Sequence, residues 1–371
     1  MKFTIEKNEL INLLKTPCGI INNNNINHIL TGILIECKNN ELIVISSNNN
    51  LSIKSTTKNL TIHKDGYVLI YGKLFYNIIT KLKDVQVNFE VVDNSIVRIS
   101  TPTFSSDLNL LDNVNYPLIN FDVLNYNECE IPNPHLQKVI NKLINTTNPL
   151  FDRVTPLNGI LFDSTRLNDF LESVGTDGHH LSYIKTPYTG NKFKIVIGVD
   201  ILRTLQELIT KDNKIVFYTK NNHLIIKLNN CILNCRLLEG DYPSAIKAIE
   251  TTQKLHFLVN KQEISAAIDR GVILASTDKK PTIVFNINTD LLKISCKSIE
   301  YGSSYEEIKI KQYSGLTSIN VSFNIKYLSN LIKNVENDEI LFEFTEANKH
   351  FFVKDLKDPN YLSLILPIRS I

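Results

Sequence analysis

Gly66–Lys83 reads GYVLIYGKLFYNIITKLK. Gly66 to Tyr71 is rich enough in β-branched and aromatic residues to predict a short strand. From Lys73 the period changes. Leu74, Phe75, Ile78, Ile79 and Leu82 recur at i, i+3, i+4 spacing and predict one apolar helical stripe, with Lys73, Asn77, Thr80 and Lys81 opposite. The same strand-then-helix grammar occurs six times. Phe3–Ile5 precedes Lys7–Lys15, Glu128–Ile131 precedes Pro134–Lys142, and Phe193–Ile197 precedes Asp200–Lys211. Leu255–Val259 precedes Lys261–Arg270, and Ser318–Phe323 precedes Ile325–Lys333. The copies start roughly 60–65 residues apart.

Between the helices the chain reads as strands. Glu41–Ile45, Val85–Phe89, Ile215–Tyr218 and Ile340–Phe344 alternate or run apolar, and Asn39-Asn40, Asp93-Asn94, Asn221-Asn222 and Asn288-Thr289-Asp290 supply turns. Each copy is therefore one helix among antiparallel strands, and two copies make a domain of about 120 residues. The reading is α+β: three similar domains, 1–125, 126–252 and 253–371, each with two helices packed on antiparallel sheets.

The remaining features mostly exclude. The chain has 371 residues, 43% hydrophobic and 21% charged, enough for real cores. It contains no run of eighteen apolar residues for a membrane span, and Met1-Lys2-Phe3-Thr4 lacks a secretory signal pattern. Cys231 and Cys235 are the closest cysteines and do not form Cys-x-x-Cys, which points to a reducing cytoplasm rather than a zinc cage or a disulfide framework. No glycine-rich nucleotide loop and no G-x-S-x-G elbow occurs. Asp177, His179 and His180 resemble a metal cluster, but adjacent histidines on an extended segment should point opposite ways. The expectation is no metal, no cofactor and no catalysis. The Asn22–Asn25 run reads as a loop.

Charge is sorted by element. The six helical windows hold about 13 basic and about 5 acidic residues, whereas the whole chain carries +2. Lysine on a helix also serves solubility, but repetition across six copies points to a polyanion. Lys15, Lys73, Asn77, Lys81, Lys138, Lys142, Arg203, Lys326 and Lys333 are the expected contacts. These stripes hold few aromatics for stacking on single strands and no arginine pairs for base readout. The expected mode is loose contact with duplex phosphates, independent of sequence.

Local motifs carry a resemblance. Thr176-Asp177-Gly178-His179-His180-Leu181 is similar to the T-D-G-H-R-L signature of the bacterial DNA sliding clamps, the beta subunits of DNA polymerase III. Leu157–Leu161, Gly240–Pro243, Phe323–Leu328, Leu366–Arg369 and Met1–Ile5 match further segments of that family in order along the whole chain. The resemblance implies the DNA clamp fold, with one chain forming half of a homodimeric ring around duplex DNA. Such a ring acts as a cytoplasmic replication processivity factor that tethers the replicative polymerase. Geometry agrees with a dimer: twelve helices, each about 10 Å wide, leave a hole of roughly 28 Å, and six leave roughly 9 Å. A repeat-built protein-interaction scaffold without DNA encirclement is the alternative.

The resemblance also assigns sites. An edge strand of the first domain would pair with one of the third, bringing Phe104 and Ser106 to Ile273 and Leu274, with Glu300, Glu306 and Glu307 adding charge. A shared groove for peptides of the polymerase, the clamp loader and other clamp-binding proteins would be lined by Leu157, Thr176, Gly178, His179, Leu181, Pro243, Lys247, Asn324, Tyr327, Leu364, Leu366, Pro367, Ile368 and Arg369. The chain departs from the pattern at Ser106, where the family has an apolar residue. It departs again at His180 and Lys247, where the family has arginine, and Arg153 sits one position off the expected pocket arginine. Lysine lacks the planar fork of a guanidinium.

Overall fold

The computed structural model describes residues 1–22, 27–93, 95–147, 154–210, 214–243, 249–251, 255–314 and 318–368. Six α-helices stand among them: α1 Lys7–Gly19, α2 Gly72–Lys81, α3 Asn133–Leu143, α4 Val199–Leu208, α5 Lys261–Leu274 and α6 Ile325–Lys333. Each follows a strand, as the repeat predicts. α1 and α5 run one turn further than their periodicity suggested, and Pro17 is accommodated near the end of α1.

The chain forms two compact units, Met1–Pro134 with Arg203–Leu237, and His135–Leu202 with Leu238–Ile371. The first unit carries a sheet of thirteen described strands and the second a sheet of twelve. Strands of the expected middle stretch 126–252 enter both. In the first unit Cys231–Arg236 pairs antiparallel with Leu51–Thr57, setting Leu233 opposite Ile53. In the second, His180–Pro187 pairs antiparallel with Tyr361–Ile365, setting Leu181 opposite Leu364.

The repeat is visible in the packing. Phe3 stacks on Phe89 across paired strands at 4.7 Å between ring centroids, and Phe257 stacks on Phe342 at 4.6 Å. Lys7 Nζ donates to Leu82 O just past α2, and Lys261 Nζ donates to Val335 O just past α6. These two lysines satisfy carbonyls that a helix end leaves open. A Cβ on Gly271 would lie 2.6 Å from Ile325 Cδ1, so glycine is what lets α5 and α6 approach.

Candidate functional site

The second unit gathers most of the expected groove. Thr176–His180 is the turn between strands Phe170–Thr176 and His180–Pro187. Gly178 has φ +89, a conformation that favours glycine. Asp177 Oδ1 accepts from the His179 and His180 amides at 2.8 and 2.9 Å and from His180 Nδ1 at 2.8 Å. Burial works to raise the Asp177 carboxyl, but the His180 ring and these amides prevail and bring it down to about 2. Thr176 Oγ1 donates to His180 O at 2.7 Å and accepts from Gly178 N at 3.0 Å.

α6 lies against this turn. Asn324 caps it by accepting from Lys326 N and Tyr327 N. The Tyr327 ring stacks on buried His180 at 4.3 Å and lies parallel to exposed His179 at 6.1 Å. Burial, then the Asp177 charge, pushes the Tyr327 hydroxyl up to about 12. Both imidazoles therefore turn toward one ring, which corrects the expectation that they point opposite ways. His179 sits in the turn, before strand alternation begins.

The C-terminal segment completes the arrangement. Leu366 N donates to His179 O at 2.9 Å and Ile368 N to Ser322 O at 2.7 Å. Leu181 and Leu364 are buried in one apolar cluster with Leu161 and Val174, and Tyr242 packs against it, its hydroxyl donating to Val174 O at 2.9 Å. Leu157 is half-buried in the turn leading to the strand that carries Leu161, and Pro243, next to Tyr242, is exposed. Leu366 and Ile368 are exposed and Pro367 is half-buried. The arrangement is an apolar floor with an apolar rim and a histidine edge. Lys247, Arg369, Arg153 and Asn23–Asn25 lie outside the described residues.

The expected DNA contacts divide. Lys15, Asn77, Lys81, Arg203, Lys326 and Lys333 are exposed, and Lys73 is half-exposed. Lys142 is not an outward residue. Its side chain is 8% exposed, with Nζ 2.9 Å from Glu336 and 3.5 Å from Asp358, over the Tyr361 ring. Burial pulls its ammonium down and the carboxylates more than offset that, so it stays charged. Lys138 is 2.7 Å from Asp358. Lys142→Met should lower stability by about 3 kcal/mol in urea unfolding, since it takes the cation from Asp355, whose side chain is wholly buried 3.9 Å from Nζ. A loss below about 1 kcal/mol, the range of an exposed pair, would contradict this placement. One stripe assignment also changes: Leu74, expected on the apolar stripe of α2, is half-exposed.

Apart from the terminal strands of the two sheets, two of the longer strands leave most of one edge unpaired among the described residues. The strand Phe104–Leu111 pairs along one side with Ile96–Thr101, and on the other only Leu110 and Leu111 meet Leu69 and Ile70. Phe104 is exposed and Ser106 half-buried on this free length. The strand Gly302–Ser314 pairs with Leu291–Ser298 through Lys309 and with Leu255–Asn260 only from Ile310 onward. Ile273 is 75% exposed in the last turn of α5, Leu274 is half-buried and Glu300 is exposed. In the first unit a cavity of about 550 Å³ lies beside Phe104, lined by Asn77, Ile78, Lys81, Leu82 and Thr103 among others.

Three family models match the chain in order. The N-terminal domain of the DNA polymerase III beta subunit matches residues 1–120, its central domain 130–244 and its C-terminal domain 247–369. The beta sliding clamp of Staphylococcus epidermidis is 28% identical, and that of Staphylococcus aureus 27%, each alignment covering all of both chains. The DNA polymerase sliding clamp of Bacillus subtilis superposes with a TM-score of 0.90 at 26% identity, over all of both chains. The DNA polymerase III beta chain of Streptococcus pneumoniae superposes with a TM-score of 0.93 at 24% identity, again over all of both.

Proposed function

Because the chain belongs to the DNA polymerase III beta subunit family, the bacterial sliding clamps, and has their three-domain DNA clamp fold, we propose that two copies close head to tail into a ring around duplex DNA. The ring performs no chemistry. It slides because no phosphate contact is strong, and it stays because it is closed. Its domains are taken as 1–125, 126–252 and 253–371, and it works in the cytoplasm.

One observation carries this reading. Two antiparallel strand pairs join successive domains, Leu51–Thr57 with Cys231–Arg236 and His180–Pro187 with Tyr361–Ile365. Each joins the strand that opens after a domain's first hairpin to the last strand of another domain. The remaining copies of those two strand types are Gly302–Ser314 and Phe104–Leu111, and each of these leaves most of one edge unpaired. A strand edge left open in solution invites pairing. A second copy supplies it, and the heterologous contact closes after two.

The helices support the same junction. In the second unit the end of α3 rests on α6: Asn334 Nδ2 donates to Lys142 O at 2.6 Å and Asn330 Nδ2 to Asn145 O at 3.5 Å. The equivalent contact between copies brings the end of α5, with Ile273 and Leu274, to the cavity beside Phe104, Ile78 and Leu82 on α2. Lys15, Lys73, Asn77, Lys81, Arg203, Lys326 and Lys333 supply the weak phosphate contacts. The groove around Leu181, Tyr327, Leu364 and Ile368 takes peptides of the polymerase, the clamp loader and other partners, with Lys247 and Arg369 as further members. Retention on closed circular duplex, and loss from the same duplex once cut, tests the ring.

A further inference from the structure

We infer that the hairpin tip Ile299–Tyr301 is a second anchor between the two copies, packing on Leu74 of the partner copy. The inference rests on the dimer reading above and adds a contact to it. Ile299 is 99% exposed and Tyr301 56% exposed, at a turn closed by Ser298 opposite Gly302. Two large apolar side chains at a hairpin tip add nothing to this chain's own core and mark a contact surface.

The two junctions inside the chain fix where the tip goes. In one, His180 opens its strand and lies opposite Ile365, four residues after Tyr361 begins the other strand. In the other, Leu51 opens its strand opposite Cys235, four residues after Cys231. The same offset sets Gly302 of one copy opposite Leu108 of the other, four residues after Phe104.

The tips behave alike in both known junctions. Arg236 N donates to Asn50 O at 2.9 Å, and Leu366 N donates to His179 O at 2.9 Å. Each donor lies five residues after the first residue of its strand, so the equivalent donor is Asn109 N and the acceptor is Tyr301 O of the other copy. Beyond the tip of the second junction lies Tyr327, the third residue of α6, stacked on His180. The third residue of α2 is Leu74, 50% exposed. It borders a cavity of about 330 Å³ shared with His28, Thr31, Tyr71 and Lys73. Residue for residue, this is where the tip arrives.

The test is a double-mutant cycle on the dimer dissociation constant, measured by dilution of the full-length chain. Ile299→Ser with Tyr301→Ser should raise the constant about tenfold or more, and Leu74→Ser should do likewise. All three together should be little worse than the tip variant alone, because both halves of one contact are already gone. Constants within twofold of the parent, or effects that multiply, overturn the anchor while leaving the dimer intact. A parent chain that is monomeric overturns both. A second measurement covers any variant with altered melting: Leu74→Cys with Tyr301→Cys should give a disulfide-linked dimer under mild oxidation. The six native cysteines are buried. Failure of that link in a dimeric sample overturns the anchor.

Discussion

Ile273→Asp is expected to convert the chain to a monomer at micromolar concentration. Ile273 is 75% exposed on the free chain, so the change costs the fold little. In the proposed ring the side chain enters the cavity formed by Ile78, Leu82 and Phe104 on the partner copy. Losing that burial removes about 1.5–3 kcal/mol at each of the ring's two interfaces. A total near 4 kcal/mol weakens the dimer about a thousandfold. Sedimentation should move from about twice 42.3 kDa to 42.3 kDa with an unchanged melting temperature. A variant that remains dimeric would remove the α5 end from the interface.

The second large effect belongs to the groove. Leu366 and Ile368 are exposed apolar side chains on a segment tied by backbone bonds to His179 and Ser322. Changing both to serine keeps those bonds and removes the apolar rim. Partner peptides should bind about a hundredfold more weakly, as expected when two central anchors are lost. Primer extension by the cognate polymerase on a primed circle should then lose its stimulation, while dimer mass and melting stay as in the parent. Undiminished stimulation would reject these residues as the docking site.

Much of this was legible in the sequence, because the signals were local. The switch from strand to helix at Tyr71–Lys73 needs only the period of the apolar residues. The Thr176–His180 turn needs only an Asp before a Gly. What failed depends on distant partners. Lys142 and Lys138 read as solvent-facing, but the carboxylates that claim them, Glu336 and Asp358, arrive from far along the chain. Lys7, Lys261 and Arg270 also counted as free charge. Two of them satisfy helix-end carbonyls and the third forks onto Glu306. Leu74 read as core because periodicity marks an apolar stripe without telling which of its residues the domain itself covers. The division into two units was equally hidden, since it follows strand pairs such as Leu233 with Ile53, which no local pattern announces.

The most direct measurement of the central claim is retention after loading on a nicked circular duplex at raised salt. The ring predicts that most of the loaded protein stays while the circle is closed. It predicts prompt release when a single restriction cut linearises the DNA, with blocked ends restoring retention. Equal loss from closed and cut DNA, tracking salt alone, would mean that charge and not topology holds the protein, and would contradict the account.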